Sequence, residues 1–466
     1  KKVITCASFL KILAQLQPIF RGKRLMTLIY NYLQLAWLKI SNLRTDAGAQ
    51  LFLAAVVLTS IPLKFAYSSI ATILLAVLCL LSFTRTNFKL TLSLALPILF
   101  YLLMTVSAAW SIDYGATLNG LRKDLVFLII PFAFSCLPAY SSQQLQGVFR
   151  FYSFGFAAYA SFFIGVALVT FLSTGDNSAF FYHNLVTIER NAIYMSVFAS
   201  FALFYFISLP QKQTIEKVAL AILAVFVLLL SSKSVIFIDA VLVVVFYSFF
   251  SKVPKSVRYL TLISLLLFLA FSLVFVKNIR ERFLLEYETA FVDNTLNTTI
   301  GNGQGKVYNI SLHQAWNMDK FEQNHFFPGT ALRIYQTRIF GEMLQEDAIF
   351  FTGYGLEASQ SKIVAKANEH GLYNGYAEFN FHNQYVQTFA ELGVFGFLLL
   401  LAMLFLNMRN AIKRADFLHI VFALSIIVLF LTESFFCRQR GLIFFTVLYC
   451  LFNTALPASK TNIEEK

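Results

Sequence analysis

The sequence predicts an all-α polytopic membrane protein with about twelve transmembrane helices and a helical cap outside the membrane between spans nine and ten. Of its 466 residues, 58% are apolar, 17% are aromatic and only 13% are charged, which excludes an ordinary soluble domain. The apolar residues are grouped in runs close to the ~20 residues that an α-helix needs to cross a bilayer core. A long polar segment, residues 277–384, interrupts these runs and predicts the cap.

The apolar runs divide the chain into five parts, and no internal repeat is visible along it. We predict a basic interfacial segment at 1–47, spans one to nine within 48–276, the cap at 277–384, spans ten to twelve within 385–456 and a tail at 457–466. The predicted spans lie near 49–64, 66–83, 90–108, 124–139, 148–172, 191–209, 215–232, 235–250, 258–276, 385–407, 417–435 and 441–456.

The net charge of +13 is unevenly distributed. Lysine and arginine far outnumber acids in the short loops and tails on one side, whereas the rest of the chain is slightly acidic. An excess of basic residues in short loops marks the cytoplasmic side of a membrane protein. We therefore expect both termini to be cytoplasmic and 277–384 to face outward. The basicity then reflects topology and contact with anionic membrane lipids, and it does not predict nucleic-acid binding.

Motifs for metal or redox chemistry are absent from the sequence. The five cysteines form no CxxC pair and none lies in 277–384, so neither a zinc site nor a disulfide framework is predicted. No Asp-x-Asp pair occurs, which argues against a metal-dependent sugar-nucleotide transferase. We expect an activity that requires no metal and no cofactor.

Two helices are predicted inside the cap. From Thr330 to Glu346, apolar residues recur at spacings of three and four between charged residues, which is typical of an amphipathic helix. After the turn Gly353-Tyr354-Gly355, a second polar helix is predicted from Ser359 to His370. A segment of about 108 residues is small for an independent catalytic domain. Chemistry in the cap would therefore be shared with the spans.

His382 is the leading catalytic candidate. It stands where the polar segment returns to an apolar helix, which places an imidazole at the membrane surface. Histidine can accept a proton near neutral pH because its ordinary pKa is about 6.5. We predict that His382 is a general base beside an outward-facing cavity. The alternative is a polar residue that only marks the start of a helix.

Cationic residues at the outward ends of the predicted spans form a second pattern. Lys233 is the most informative, because the turn around it is too short for a soluble loop. Charges at a bilayer boundary are costly and usually have a partner, so the set predicts a site for an anionic headgroup. Snorkelling of each side chain toward lipid phosphates is the alternative. The cations are Arg122, Lys123, Arg190, Lys233, Arg438 and Arg440.

Arg333 and Arg338 add two cations on the predicted cap helix. Five residues apart, they project about 140° from each other around the helix axis. We therefore expect one of them to face the membrane site and the other to be solvated. Glu433 is expected to form a plain surface ion pair with Arg438 or Arg440.

Several motifs resemble the family of O-antigen ligases and polymerases, both in their residues and in their order. In that family a histidine closes the large periplasmic loop and a glycine-marked helix follows. Lysine replaces the family's usual arginine at 233, which keeps the charge but loses the bidentate fork, and the tryptophan that usually follows the loop arginine is missing. The similar positions are Trp110-Ser111-x-Asp113, Ser232-Lys233, Arg333, Gly353-Tyr354-Gly355, His382-Asn383, Gln387, Ala390-Glu391-Leu392-Gly393 and Gly396.

The resemblance implies a glycosyltransferase of the bacterial inner membrane with a periplasmic cap. It would move a glycan from undecaprenyl diphosphate to a lipid A-core or similar acceptor hydroxyl, with inversion and without a metal. His382 would be the general base, and Lys233, Arg333 and Arg190 would bind the donor diphosphate, with Arg338 as the alternative loop arginine. A repeat-unit polymerase of the same superfamily and a lipid-linked oligosaccharide transporter remain alternative functions.

Overall fold

A computed structural model describes residues 47–85, 88–138, 140–187, 189–275, 277–297, 300 and 305–454. Within these ranges the chain is mostly α-helical, as predicted. The predicted tail at 457–466, and all but the last residue of the predicted segment 1–47, lie outside the described residues.

The first group of helices precedes the polar segment. A turn at 61–64 separates the first two helices. The predicted span at 124–139 is shorter than expected, since it contains a helix of only 10 residues. The helices of this group are α1 Ala47–Ser60, α2 Phe65–Leu81, α3 Leu92–Ser107, α4 Tyr114–Asp124, α5 Val126–Ser135, α6 Ser142–Thr174, α7 Tyr182–Val186, α8 Ala192–Ser208, α9 Thr214–Leu230, α10 Lys233–Val245 and α11 Lys255–Phe275.

The remaining elements form the polar segment and the last helices. Short 3₁₀ turns lie at Asn177–Phe180, Asn374–Tyr376 and Phe435–Cys437, and a π-helical turn at Phe246–Phe250 extends α10. The elements are α12 Lys277–Ala290, β1 Thr295–Leu296, β2 Tyr308–Asn309, α13 Leu312–Asn317, β3 His325–Phe326, α14 Gly329–Glu346, α15 Gln360–Glu369, α16 Gln384–Arg414, α17 Phe417–Leu429 and α18 Gln439–Thr454.

Among the described residues, three helices are long and apolar enough to cross a membrane. They are α6, α10 with its π-helical extension, and α16. Shorter apolar helices, namely α1, α2, α3, α8 and α17, coincide with other predicted spans. The total of twelve spans and the outward position of the cap stay predictions.

The helices α8 and α18 lie at the centre of the bundle. Side chains are buried all along α8 from Tyr194 to Phe206 and along α18 from Arg440 to Asn453. A helix that is apolar on every side belongs in such an interior. Aromatic pairs fill the space between them, as where the ring centroids of Phe198 and Phe444 lie 4.6 Å apart. The Tyr152 hydroxyl of α6 also donates to the Phe198 carbonyl at 2.8 Å, a polar contact of the kind that fixes helix packing in membranes.

The polar segment has its own hydrophobic cluster. Tyr335, Ile339 and Met343 of α14 are buried in it. Both predicted cap helices are confirmed, and their ends agree with the prediction to within one residue. Three strands of two residues each were not predicted; β1 pairs antiparallel with β2, and β2 pairs parallel with β3. Strands this short carry no alternating apolar pattern that a sequence could reveal.

The turn Gly353-Tyr354-Gly355 packs against α16 where that helix is interrupted. At the interruption Gly393 adopts φ 64° and ψ −165°. The Tyr354 N–H donates to the Ala390 carbonyl at 2.9 Å. A Cβ on Gly353 would lie 2.3 Å from the backbone of Glu391, so the two chains approach closer than any side chain allows.

The early motif Trp110-Ser111-x-Asp113 meets the same turn from the other side. The Ile112 N–H donates to the Tyr354 carbonyl at 3.0 Å, and the Trp110 indole N–H donates to the Thr352 carbonyl at 3.0 Å. Three motifs that are far apart in sequence therefore form one junction, which fixes the cap to α16 and to the loop between α3 and α4.

Candidate active site

His382 lies in the short connection between the cap and α16. Its φ of 45° is in the left-handed region, which is uncommon for a non-glycine residue and typical of functional positions. Asn380 holds it twice, since its Oδ1 accepts from the His382 N–H at 3.0 Å and its carbonyl lies 3.0 Å from Nδ1. The next residue, Asn383, caps α16 by accepting from the Tyr385 N–H at 3.0 Å. The imidazole is therefore oriented by its own chain neighbours.

The contacts of Nδ1 favour one tautomer of His382. The Asn380 carbonyl lies 3.0 Å from Nδ1 and can only accept, which favours a proton on Nδ1 and a lone pair on Nε2 of the imidazole. The Gln336 amide also contacts Nδ1, with its own Nε2 at 3.2 Å and its Oε1 at 3.3 Å. No hydrogen bond from a described residue reaches Nε2 of the imidazole. The nitrogen that could accept a proton from a ligand is therefore available.

The pKa of the His382 imidazole is lowered from 6.5 to about 4. Burial is the largest cause, and the positive charges of Arg333 and Arg438 add to it, while the hydrogen bond with Asn380 acts in the opposite direction. The ring is therefore neutral at physiological pH, which is the form that a general base requires.

Arg333 extends from the first turn of α14 to the loop after α17. Its Nε donates to the Thr432 carbonyl at 2.8 Å, and its Nη2 lies 3.1 Å from Oε1 of Glu433. Glu433 is only 6% exposed. The prediction of a surface pair between Glu433 and Arg438 or Arg440 is thus wrong, since the carboxylate is buried and Arg333 is its partner.

Arg438 is an exposed cation close to the imidazole. Its charge acts on His382, and its guanidinium lies over the Tyr194 ring, 6.0 Å from the centroid. None of the ion pairs among the described residues includes Arg438. Its donors can therefore bind an anion that enters the site.

Lys233, the first residue of α10, forms an ion pair with Glu286 of α12. The second carboxylate oxygen of Glu286 accepts from the N–H and the hydroxyl of Thr330 at the start of α14. Burial raises the pKa of Glu286, but the bonds from Lys233 and Thr330 outweigh it and hold that pKa below its ordinary value. Gly329, beside Thr330, accepts from Nη1 of Arg333 at 3.0 Å. Lys233 and Arg333 thus both reach the first residues of α14, Lys233 through the ionised Glu286 and Arg333 directly.

Arg338 lies inside the cap rather than beside His382. Its Nε lies 2.8 Å from Glu342, its Nη1 donates to the Met318 carbonyl at 2.6 Å, and its Nη2 lies 3.2 Å from Asp319. Its side chain is only 12% exposed. The prediction that the second arginine would be solvated is therefore wrong.

Arg190 contacts the turn between α1 and α2. Its Nε donates to the Pro62 carbonyl at 3.2 Å, and its Nη1 donates to the Thr187 hydroxyl at 3.3 Å. Its guanidinium lies over Phe163, 5.4 Å from the ring centroid. These contacts place Arg190 at a different part of the protein surface from the contacts of Arg333.

A buried polar layer supports the His382 connection. Gln387 of α16 accepts from the Phe381 N–H at 3.3 Å and donates to Glu391 at 2.5 Å. Lys123 and Glu357 form an ion pair that lines the same enclosed space. The sequence motif that begins at His382 already included Gln387 and Glu391. No local signal marks the pair of Lys123 and Glu357, whose members are 234 residues apart.

A comparison with known families gives a match for part of the chain. Residues 218–401 match the family model of the O-antigen ligase. This part of the chain is similar to that family. The matched range includes Lys233, Glu286, Arg333 and His382, whereas Arg438 lies beyond it. No curated protein matches the chain.

The range 218–401 therefore holds a set of candidate residues at the junction of cap and helices. The set comprises a neutral histidine with an open Nε2, a half-buried arginine and a lysine at one helix end, and a carboxylate that pairs with that lysine. Such a set can remove a proton from a hydroxyl and stabilise an anion at adjacent positions.

Proposed function

We propose that the chain transfers a glycan from undecaprenyl diphosphate to the hydroxyl of a lipid A-core or similar acceptor, without a metal and with inversion. The observation that carries this proposal is the neutral His382, whose Nε2 is open beside the fixed charges of Arg333 and Arg438. In this proposal the cap lies on the periplasmic side of a bacterial inner membrane, and both termini are cytoplasmic.

The donor diphosphate binds between Lys233, Arg333 and Arg438. Arginine offers paired donors to phosphate oxygens, and lysine supplies a compact charge. Glu286 forms an ion pair with Lys233 before the donor binds. Because the Glu286 carboxylate and the diphosphate are both negatively charged, Glu286 must move away from Lys233 when the diphosphate binds. Arg190 is held at the turn between α1 and α2 and Arg338 is held inside the cap, so neither is part of this clamp.

The transfer is a single displacement at the anomeric carbon. Nε2 of His382 takes the proton as the acceptor O–H bond breaks, and the acceptor oxygen forms a bond to the anomeric carbon from the face opposite the diphosphate. The bond from that carbon to the diphosphate oxygen breaks, and its electron pair stays on the diphosphate. The cations stabilise the negative charge that grows there.

Substitutions at Lys233 test the donor site. Lys233→Ala is expected to lower the transfer rate about 10²- to 10³-fold, because one charge that stabilises the leaving group is lost. Lys233→Arg keeps the charge and should retain at least a tenth of the activity. The measurement is the rate of transfer from a synthetic undecaprenyl-diphosphate glycan to lipid A-core by the purified chain.

Lys306→Ala is the matched control for this experiment, since Lys306 is an exposed lysine elsewhere in the polar segment. It should behave like the wild type. Equal rates for Lys233→Ala and Lys233→Arg would remove Lys233 from the site.

The acid limb of the pH profile tests the state of His382. Since its pKa is lowered to about 4, the imidazole stays neutral as the pH falls through 6.5 and is protonated only near pH 4. We expect kcat/KM to be flat from pH 7 to about pH 5 and to fall by half near pH 4. In Arg438→Gln, one of the charges that lower this pKa is gone, so the limb should move to higher pH.

Arg122→Gln, which removes an exposed arginine from α4, should leave the position of the limb unchanged. A wild-type limb centred at pH 6.5 would contradict the proposed environment of the imidazole.

A further inference from the structure

A cavity of about 530 Å³ lies between α1, α6 and the turn that joins α1 to α2. Its walls are mostly apolar, with Leu63, Tyr159 and Phe162 among them, and Arg190 is the charged residue in its lining. Phe162 is 63% exposed and Val169, farther along α6, is 67% exposed, so this side of α6 faces the surroundings of the helices. Beside a bilayer, those surroundings are hydrocarbon chains.

The donors of Arg190 are partly occupied. Nε and Nη1 are held by the Pro62 carbonyl and the Thr187 hydroxyl, and the face of the guanidinium lies over Phe163. Nη2 forms no hydrogen bond with a described residue. A guanidinium held in this way suits one oxygen of a single phosphate better than the two-point clamp that a diphosphate would receive.

Two further cations lie in the turn that lines the cavity or contact it. Lys64 follows Leu63 directly and is exposed. Arg440 is buried and holds the same turn, since its Nε donates to the Ile61 carbonyl at 3.1 Å and its Nη2 donates to the Leu63 carbonyl at 3.2 Å. Arg190 is thus the cation in the lining itself, and Lys64 adds a second positive charge on the adjoining turn.

The turn at the mouth is connected to the site at His382. Arg440, which holds that turn, is two residues from Arg438, whose charge acts on His382. A lipid headgroup at Arg190 would therefore be linked to the site at His382 through the segment 438–440, whereas the partner of Lys233, Glu286, lies in α12.

We infer that this cavity binds a hydrocarbon chain of the acceptor lipid, with Arg190 on a phosphate of its headgroup. The inference rests on the proposed function, in which both substrates are anchored in lipid and each requires a place of its own. An acyl chain fills the space between the apolar walls, while Arg190 holds a phosphate of the headgroup.

The test measures the two substrates separately on the purified full chain. Lipid A-core from a strain without its own ligase serves as the acceptor probe, and geranyl diphosphate serves as the donor probe in direct binding. Ala158→Trp places an indole in the cavity from an exposed position of α6, and Arg190→Gln removes the charge at its mouth. Both variants should weaken acceptor binding at least tenfold and leave geranyl diphosphate binding unchanged.

Val169→Trp is the matched control, because it adds the same side chain to an exposed position of α6 that does not line the cavity. It should bind both probes like the wild type, and its thermal unfolding midpoint provides the reference for Ala158→Trp. Unchanged acceptor binding in both cavity variants would overturn the inference. Weakened geranyl diphosphate binding would overturn it as well, since the cavity would then hold the donor's isoprenyl chain.

Failure of the proposed function gives a different result. If the wild-type chain binds lipid A-core through the cavity but transfers no glycan to it, the proposed reaction is wrong while the inferred binding site stands.

Discussion

His382→Ala is expected to abolish glycan transfer while leaving the protein in the membrane at its normal level. Loss of a general base lowers a rate by about 10²- to 10⁴-fold. The measurement is the lipopolysaccharide banding pattern of a deletion strain complemented with wild type or variant. Polymer should disappear from the core and accumulate on undecaprenyl diphosphate unless the wild type is supplied.

His313→Ala is the control for this experiment, because the His313 side chain is 74% exposed elsewhere in the polar segment. It should restore the complete ladder. A normal ladder with His382→Ala would end the general-base proposal. A deletion strain that shows single capped units instead of bare core would indicate a repeat-unit polymerase.

Gly393→Ala is expected to have the largest effect on stability. The residue has φ 64°, and a Cβ would lie 2.3 Å from the carbonyl oxygen of Phe351. Backbone strain of about 1–3 kcal/mol adds to overpacking of about 1–3 kcal/mol, since a backbone carbonyl on the opposing chain cannot move aside cheaply. We expect a lower thermal unfolding midpoint in detergent together with loss of transfer, because the junction positions His382.

Gly165→Ala tests whether any added methyl group has this effect. Gly165 lies in α6 with no heavy atom within 4 Å of the added Cβ, and alanine has the higher helix propensity. Its unfolding midpoint should equal or exceed that of the wild type. An unchanged midpoint in Gly393→Ala would show that the close approach at the junction contributes nothing to stability.

The elements that the sequence predicted well depend on local patterns. The helices at Gly329–Glu346 and Gln360–Glu369 follow from apolar spacing and polar composition, which a short window contains in full. The motif glycines were also indicated by the sequence, because a positive φ at Gly353 and Gly393 restricts those positions to glycine. The tertiary structure supplies the physical reason for these glycines: the turn at 353–355 and α16 approach each other too closely for a Cβ at either position.

The charged residues were predicted less well, because the partner of a charge is set by the fold. Arg338 is held by cap residues instead of solvent, and Glu433 pairs with Arg333, which is 100 residues away. The partner of Lys233, Glu286, lies 53 residues along the chain and carried no motif. Spacing within one helix could have indicated the i,i+4 pair of Arg338 with Glu342, but not the pairs of Arg333 with Glu433 and of Lys233 with Glu286.

The sequence by itself determined the helical character, the cap helices, the resemblance to O-antigen ligases and the candidate imidazole at 382. These follow from composition, period and local motif, which need no knowledge of distant contacts. Only the tertiary structure decided the favoured tautomer and the low pKa of His382, the approach of Lys233 and Arg333 to the first residues of α14, and the separate place of Arg190. Each of these features depends on burial and on neighbours that folding brings together, and contacts between distant residues cannot be inferred from the local order of residues.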